Sequence, residues 1–320
     1  MRTSEPTSSS GASSSHLTLT ATPPFNWRHT LLALRGWAGA GDAGRPTSDG
    51  AGWFLALELP AAGPVAVEVR PASGGPATLS ATVHAPKPLS GTDALHAARE
   101  LSWRFALDLD TTPLLTAADP PFEPVVERLA GFHPPLFSSA FAAACWTVIR
   151  QRTPAAFARA SAERLVEYLG TQVASPDGAG TLGAFPTPLA LDDGSRPALL
   201  AATNNLRKVD RLRGLAEAFE EMDEQWLRTA AYDDLFKWLS GLPGLGPWSA
   251  EQVAWRGLGR YERVPWRDTG ALDAIGAVYT GGLTPAKGTA RELAERYGWL
   301  QGLWLRYLKA YPRVRDLPVG

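Results

Sequence analysis

The residues able to do chemistry gather in one stretch, Leu239–Asp268, LSGLPGLGPWSAEQVAWRGLGRYERVPWRD. It opens on a glycine hairpin, Leu242-Pro243-Gly244-Leu245-Gly246, runs into a short helix from Pro247, and ends in a polar, aromatic loop that closes on Asp268. Gly244 and Gly246 carry no side chains, so their backbone can lie close to another surface, and glycine tolerates the left-handed angles of a tight turn. Pro247 suits the first position of a helix, where a missing N–H costs nothing. The N–H groups around Gly244, Gly246 and Ser249 then point outward from a helix N-terminus, an arrangement suited to a phosphate. Taken alone, a glycine turn before a helix equally suits a tight connection between two helices.

Asp268 carries two compatible readings. It precedes Thr-Gly-Ala-Leu-Asp-Ala-Ile, with Leu272, Ile275 and Tyr279 at helical spacing, so it can cap that helix. A carboxylate held at a helix N-terminus can also stabilise a cationic charge that develops in a bound substrate. Neighbouring acids compete poorly: Glu262 reads as a solvated loop residue and Asp273 as a surface charge one turn into the helix. Other chemistries lack their groups. The histidines, His16, His29, His84, His96 and His133, are scattered and all precede the hairpin. No His/Cys cluster has metal-ligand spacing, and no nucleophile-elbow or phosphate-loop motif is present. The single cysteine, Cys145, excludes an internal disulfide framework and a four-cysteine iron–sulfur cluster. Its apolar helical setting reads as a buried thiol.

The elements that must position these residues read as an α+β chain. A length of 320 residues with 45% hydrophobic content can bury a sizeable core in two or three subdomains. Residues 1–15 are serine-rich and read as a disordered tail. Residues 16–112 read as a small N-terminal antiparallel sheet subdomain with helices on one face. Strands are expected at Leu17–Thr20, Trp53–Leu59, Val65–Arg70 and Thr78–His84, and helices at Arg28–Trp37 and Thr92–Phe105. Residues 113–320 read as all-helical, with the hairpin at 239–250. Helices are expected over Ser138–Gln151, from Thr153 as N-cap and Pro154 as first residue to Gly170, over Asn205–Glu221, Tyr232–Ser240, Pro247–Leu258 and Thr269–Tyr279, and in two stretches between Ala286 and Tyr311. Ser175–Ala184 and Asp192–Pro197 are expected to be loops. The net charge of −1 gives no global basic signature, so any nucleic-acid contact must be local. No apolar run reaches the length of a membrane span, and the N-terminus lacks the apolar region of a secretory signal. The expected setting is cytoplasmic.

LPGLGPWSA, followed by a helix, a loop and PWRD, resembles the helix-hairpin-helix DNA glycosylases, and within them the inducible bacterial 3-methyladenine DNA glycosylase family. The resemblance is close across Leu239–Asp268 and weaker over most of the chain, where PPFNW before a leucine-rich helix also finds a counterpart. It implies an N-terminal sheet subdomain followed by an all-helical helix-hairpin-helix glycosylase domain. It also implies double-stranded DNA containing alkylated bases as the partner, no cofactor, and a monomer at the nucleoid. Asp268 takes the position of the catalytic aspartate, and the backbone at Gly244, Gly246 and Ser249 that of the phosphate grip. Trp248 stands where strand-cutting relatives keep a Schiff-base lysine, and no lysine occurs between Lys237 and Lys287, which implies a monofunctional enzyme using water. Trp248 is either a core aromatic packing the hairpin or a wall of the base pocket, where an indole face attracts a cationic base. Trp299 is the expected second pocket aromatic, although Tyr297-Gly-Trp-Leu-Gln-Gly302 departs from the family's Pro-Trp-Arg-Ser run. Gln151 and Arg152 fall at the family's wedge junction. Arg152 either fills the gap left by the flipped base, holds a phosphate, or ends its helix in solvent. The family's monovalent cation would fall on the carbonyls of Ser240, Leu242 and Leu245. The basic stretch from Lys287 to Arg315 reads either as a DNA-backbone track or as a solvated helix face. Two rivals remain open: a non-catalytic helix-hairpin-helix DNA-binding protein, and a glycosylase for oxidised or mismatched bases.

Overall fold

The computed structural model describes residues 13–36, 41, 42 and 44–316. The N-terminal part is a five-stranded antiparallel sheet in the order β1-β5-β4-β3-β2. Its strands are β1 (Ser13–Thr20), β2 (Arg45–Pro46), β3 (Trp53–Leu59), β4 (Gly63–Pro71) and β5 (Thr78–Ala85). Strict alternation of β5 between buried and half-buried residues shows why it is a strand with one inward face. Helices α1 (Trp27–Arg35) and α2 (Gly91–Arg104) cover that face, placing Trp27, Leu31 and Leu101 against Leu55, Val67 and Leu79. Strand β1 begins at Ser13, inside the segment read as a tail, because Ser13–Ser15 continue the register opposite Val83–Ala85. Residues 1–12 and Trp37 lie outside the described residues.

The second part is helical, with one exception. Its helices are α3 (Thr112–Thr116), α4 (Glu123–Arg128), α5 (Ala140–Arg150), α6 (Ala155–Leu169), α7 (Arg196–Thr203), α8 (Leu206–Glu220), α9 (Glu224–Thr229), α10 (Tyr232–Gly241), α11 (Pro247–Gln252), α12 (Ala271–Tyr279), α13 (Lys287–Glu295) and α14 (Gln301–Ala310). The exception is a hairpin of β6 (Thr171–Ala174) and β7 (Thr181–Ala184), where a loop was expected. Leu182 and Ala184 pack on Phe54, Ala56 and Ala66, so this hairpin shields the sheet face that α1 and α2 leave uncovered. That explains why β3 is buried at nearly every position. Thr153 does not cap α6: Pro154 occupies the N-cap position, and the Thr153 hydroxyl turns back to the Gln151 carbonyl at 2.9 Å.

Helix α5 is the axis of the helical part. Every residue from Ala140 to Ile149 is buried, including Cys145, whose thiol burial pushes well above its ordinary range. Its N-cap is Ser139, whose side chain accepts the Ala142 N–H at 3.0 Å. Helices α12, α13 and α14, with α3 and α4, hold a separate core around Trp304 and Tyr307, both fully enclosed. The hairpin helix α11 lies between these two cores, which fixes what it carries.

Candidate active site

Leu242 to Leu245 form a type II turn. The Leu245 N–H donates to the Leu242 carbonyl at 3.0 Å, Pro243 takes the position that favours proline, and Gly244 has φ +79, which that turn requires of its third residue. A Cβ on Gly244 would lie 2.5 Å from Arg211 Cδ. The absent side chain therefore admits Arg211, whose guanidinium donates to Gln151 Oε1 at 2.9 Å, while Gln151 Nε2 donates to the Gly244 carbonyl at 2.7 Å. Gln151 thus ties the end of α5 to the hairpin with both ends of its amide. Ser249 is buried and its hydroxyl accepts from the same Gln151 nitrogen at 3.3 Å. Gly246 is extended, not left-handed, and a Cβ there would meet open space. The first-turn N–H groups of α11 have no acceptor within the helix.

After Gln252 the helix widens into a π-helical segment, Val253–Gly257. Such local widening recurs at functional sites because it re-aims side chains without ending the helix. Here it brings Arg256 towards Asp268, while Gly257 sits so close to α5 that a Cβ would approach the Ala143 Cβ to 2.6 Å. Two consecutive side chains of α11 then grip the loop beyond. Glu251, almost enclosed, accepts the Arg267 backbone N–H at 3.1 Å and its guanidinium at 2.5 Å. Gln252 Nε2 reaches Asp268 Oδ2 at 3.4 Å. The helix after Asp268 begins at Ala271 with Gly270 as N-cap, two residues later than expected, yet Asp268 Oδ1 still accepts the Gly270 N–H at 3.1 Å. The same oxygen is paired with the ammonium of Lys309 from the last turn of α14. The Asp268 side chain is 16% exposed and opens on two cavities.

The larger is a cleft of about 1170 Å³ between α5, α8 and the hairpin. Arg150, Arg152, Arg207, Lys208, Arg211, Arg256 and Arg267 line it, against Asp268 as its one acid among the described residues. A chain of nearly zero net charge therefore presents a strongly positive cleft. Some of these cations also brace it: the Lys208 ammonium donates to the Ile149 carbonyl at 2.6 Å, and burial lowers its pKa. Phe137, Trp146 and Trp248 give the cleft an aromatic part. Arg152 stands exposed on its rim at φ +50, a left-handed angle uncommon for a side-chain-bearing residue. The smaller cavity, about 270 Å³, lies behind Asp268 and is walled by Trp255, Arg256, Arg306, Lys309 and Arg313. Arg306 and Lys309 lie 5.3 Å and 5.9 Å from the Trp255 ring centre. Burial, then neighbouring cations, lower the pKa of Arg256, with Asp268 opposing.

The structure brings together Asp268, Trp248, Gly244, Gly246, Ser249, Gln151 and Arg152. It does not bring Trp299 to them: that ring is 62% exposed and lines neither cavity. The sequence reading passed over Arg207 and Arg211, whose spacing on α8 looks like a solvated face, and Glu251 and Gln252; it placed Lys309 only in the basic stretch, not beside Asp268. Nor is Lys287–Arg315 one track. Arg296 pairs with Asp119 and Arg315 with Asp316, whereas Arg306, Lys309 and Arg313 converge behind Asp268. Among the described residues no cluster of side chains has the make-up of a metal site, and no helix is long and apolar enough to cross a membrane.

Among solved structures, the chain is similar to the 3-methyladenine DNA-glycosylase from Archaeoglobus fulgidus, with 22% identity over 95% of this chain and 99% of that chain and a TM-score of 0.74. It is also similar to the 8-oxoguanine glycosylase/lyase of Clostridium acetobutylicum in its apo form, at 16% identity over 94% and 98% of the two chains, TM-score 0.67. The 3-methyladenine DNA glycosylase of Schizosaccharomyces pombe in complex with abasic DNA matches at 18% identity over 66% of this chain and all (100%) of that one, TM-score 0.52. No family model and no curated protein matches the sequence. The chain has the α+β, helix-hairpin-helix fold of these DNA glycosylases.

Proposed function

We propose that this protein is a DNA glycosylase that extrudes a damaged base from duplex DNA and hydrolyses its N-glycosidic bond, leaving an abasic site. The observation that carries this reading is the placement of Asp268: a positioned carboxylate at the inner end of a positive, partly aromatic cleft whose rim is the glycine hairpin. The hairpin amides grip a backbone phosphate, and Arg207 and Arg211 extend the positive surface along the strand. Extrusion costs a few kcal/mol of unstacking, which Arg152 offsets by entering the gap. Asp268 lies against the sugar, stabilises its oxocarbenium-like charge and orients the attacking water. Trp248 leaves the hairpin itself without an amine, so release of the base is hydrolytic. Alkylated purines are the substrates, since they are cationic good leaving groups and the Trp248 face attracts them. A monovalent cation held by the carbonyls of Ser240, Leu242 and Leu245 would reinforce the phosphate grip. Ser240 Oγ is buried with no hydrogen-bond partner, so the foot of the hairpin has oxygen donors to offer it. The protein acts as a monomer in the cytoplasm, at the nucleoid.

One observation favours a second substrate class. The cavity behind Asp268 is lined by Arg256, Arg306, Lys309 and Arg313. If the base enters there, those donors repel a cationic ring and favour a neutral, acceptor-rich one such as an oxidised purine.

The test is base release from methylated duplex and from duplex bearing an oxidised purine, resolved by chromatography. Methylated purines should be released, and Asp268→Asn should slow this by roughly 10²–10³-fold while duplex affinity stays close to wild type. Release by the variant at near wild-type rate would remove Asp268 from the chemistry. Faster release of the oxidised base would replace the alkylated class by the neutral one. Release of neither, with duplex binding intact, would leave a DNA-binding protein without this activity.

A further inference from the structure

The side chain nearest the Asp268 carboxylate belongs to Lys309, on the last helix, 41 residues away. Lysine is scarce in this chain, found only at 87, 208, 237, 287 and 309. Wherever else charge gathers around Asp268, arginine supplies it: Arg256, Arg306 and Arg313 surround the same cavity. Arginine is the better partner for a carboxylate when pairing is the whole task, because its planar fork binds both oxygens. Lysine offers what arginine cannot, an amine that attacks a carbonyl. The ammonium also has a fixed aromatic neighbour. The ring centre of Trp255 lies 5.9 Å from Nζ, and the indole is fixed by its N–H donating to the Gly302 carbonyl at 2.8 Å. Gly270 gives the ammonium room, since a Cβ there would lie 3.2 Å from Nζ. The side chain remains about one-third exposed, facing the cavity that Asp268 borders.

Resting on the reading of Asp268 as the group that meets the sugar, we propose that Lys309 is a second nucleophile and that the protein cuts the DNA strand at the abasic site it makes. Hydrolytic base release leaves C1′ of the sugar as an aldehyde in its open form. Lys309 transfers its ammonium proton to Asp268 and adds to C1′. The carbinolamine then expels hydroxide, which takes that proton from Asp268 and leaves as water, giving an iminium. Asp268, a carboxylate again, removes a C2′ proton. The C3′–O bond breaks, and the 3′ phosphate departs with its electron pair. Water then hydrolyses the conjugated iminium, releasing an unsaturated aldehyde and restoring the amine. The sequence consumes no oxidant or reductant.

The experiment uses the full chain on a duplex carrying a preformed abasic site, so its outcome is independent of whether the protein releases any base. Borohydride should reduce the iminium and trap a covalent protein–DNA adduct, and peptide mapping should place it on Lys309. Without borohydride, the strand should be cut. Lys309→Met and Lys309→Arg should each lower both signals about tenfold or more, the arginine variant keeping the positive charge without the nucleophile. Absence of an adduct from the wild type, an adduct mapped to another amine, or undiminished trapping by either variant would overturn the proposal. Should a variant fail to fold, the wild-type adduct map still decides.

Discussion

The carboxylate of Glu251 receives the backbone N–H of Arg267 at 3.1 Å. A helix that begins at the hairpin thus holds the residue immediately before Asp268. Its neighbour Gln252 reaches Asp268 itself, so one turn of helix couples the glycine hairpin to the position of the Asp268 carboxylate. On the proposed function, phosphate binding at Gly246 and sugar contact at Asp268 would be referenced to the same helical turn.

Glu251→Ala removes that tie and leaves an N–H and a half-exposed guanidinium without their acceptor. The expected cost is about 1–3 kcal/mol of stability. The specific consequence is kinetic: single-turnover base release should fall while affinity for undamaged duplex changes little, because the hairpin amides are untouched. Urea titration, single-turnover kinetics and duplex titration check the three parts. A loss of duplex affinity equal to the loss of rate would show that Glu251 supports the hairpin as a whole.

The two hairpin glycines should separate cleanly. Gly246 is extended with open space where a Cβ would go, so Gly246→Val should fold normally and obstruct the phosphate. Its affinity should drop alike for damaged and undamaged duplexes, because phosphate contacts carry no sequence information. Gly244→Ala meets both φ +79 and Arg211, and should instead lower stability by about 1–3 kcal/mol. Circular dichroism melting and fluorescence anisotropy on both duplexes distinguish these outcomes. Full binding by a folded Gly246→Val would remove the hairpin from the DNA interface.

What could be read in advance follows from how local each feature is. The hairpin and four of the five strands of the sheet were legible because proline, glycine and alternating side chains act within a few residues, whereas β2, two residues long, carries no such pattern. The β6–β7 hairpin was not, since each strand is four residues long and is stabilised by packing on Phe54 and Ala66 from the distant sheet. The same divide runs through the site. Asp268 was singled out by its place after the hairpin together with the family resemblance, whereas the contacts of Lys309 and Glu251 with this loop arise only through folding. Trp299 was drawn into the pocket by the family resemblance, although residues 297–302 depart from the family's run there, and the fold leaves this ring in solvent.

That contrast is testable with the two tryptophans. Trp248 is half-buried in the cleft, and Trp248→Ala should reduce base release while retaining most undamaged-duplex affinity. Trp299→Ala should leave release within about twofold of wild type and stability within about 0.5 kcal/mol, as for an exposed side chain away from such features. Competitive excision assays under single-turnover conditions provide the comparison. A large defect in Trp299→Ala alone would mean that the C-terminal helices rearrange over the cleft on binding.

Arg152 poses the sharpest question about DNA distortion. Its backbone holds φ +50 directly after the Gln151 anchor, with Gln151 bound to the hairpin on one side and Thr153 Oγ accepting from Lys208 at 2.5 Å on the other. Such an angle costs of order 1 kcal/mol or more and persists where surrounding contacts fix it. Here those contacts flank an exposed side chain on the rim of the cleft, a placement compatible with the proposed wedge. Arg152→Ala should therefore leave the fold and undamaged-duplex affinity nearly unchanged but slow base release, because the extruded state loses what fills its gap. Arg152→Gly should relieve the backbone cost and yet show the same kinetic defect, separating strain from side-chain function. The salt dependence of duplex binding gives the opposing test. A phosphate clamp lost at Arg152 would lower the slope of log affinity against log salt by about one, whereas a wedge engaged only at a flipped site would leave that slope intact on undamaged DNA. Binding to a duplex with a stable abasic analogue, measured at several salt concentrations for wild type and both variants, decides between them. Equal losses on both duplexes would make Arg152 a clamp, and another group would then have to fill the gap.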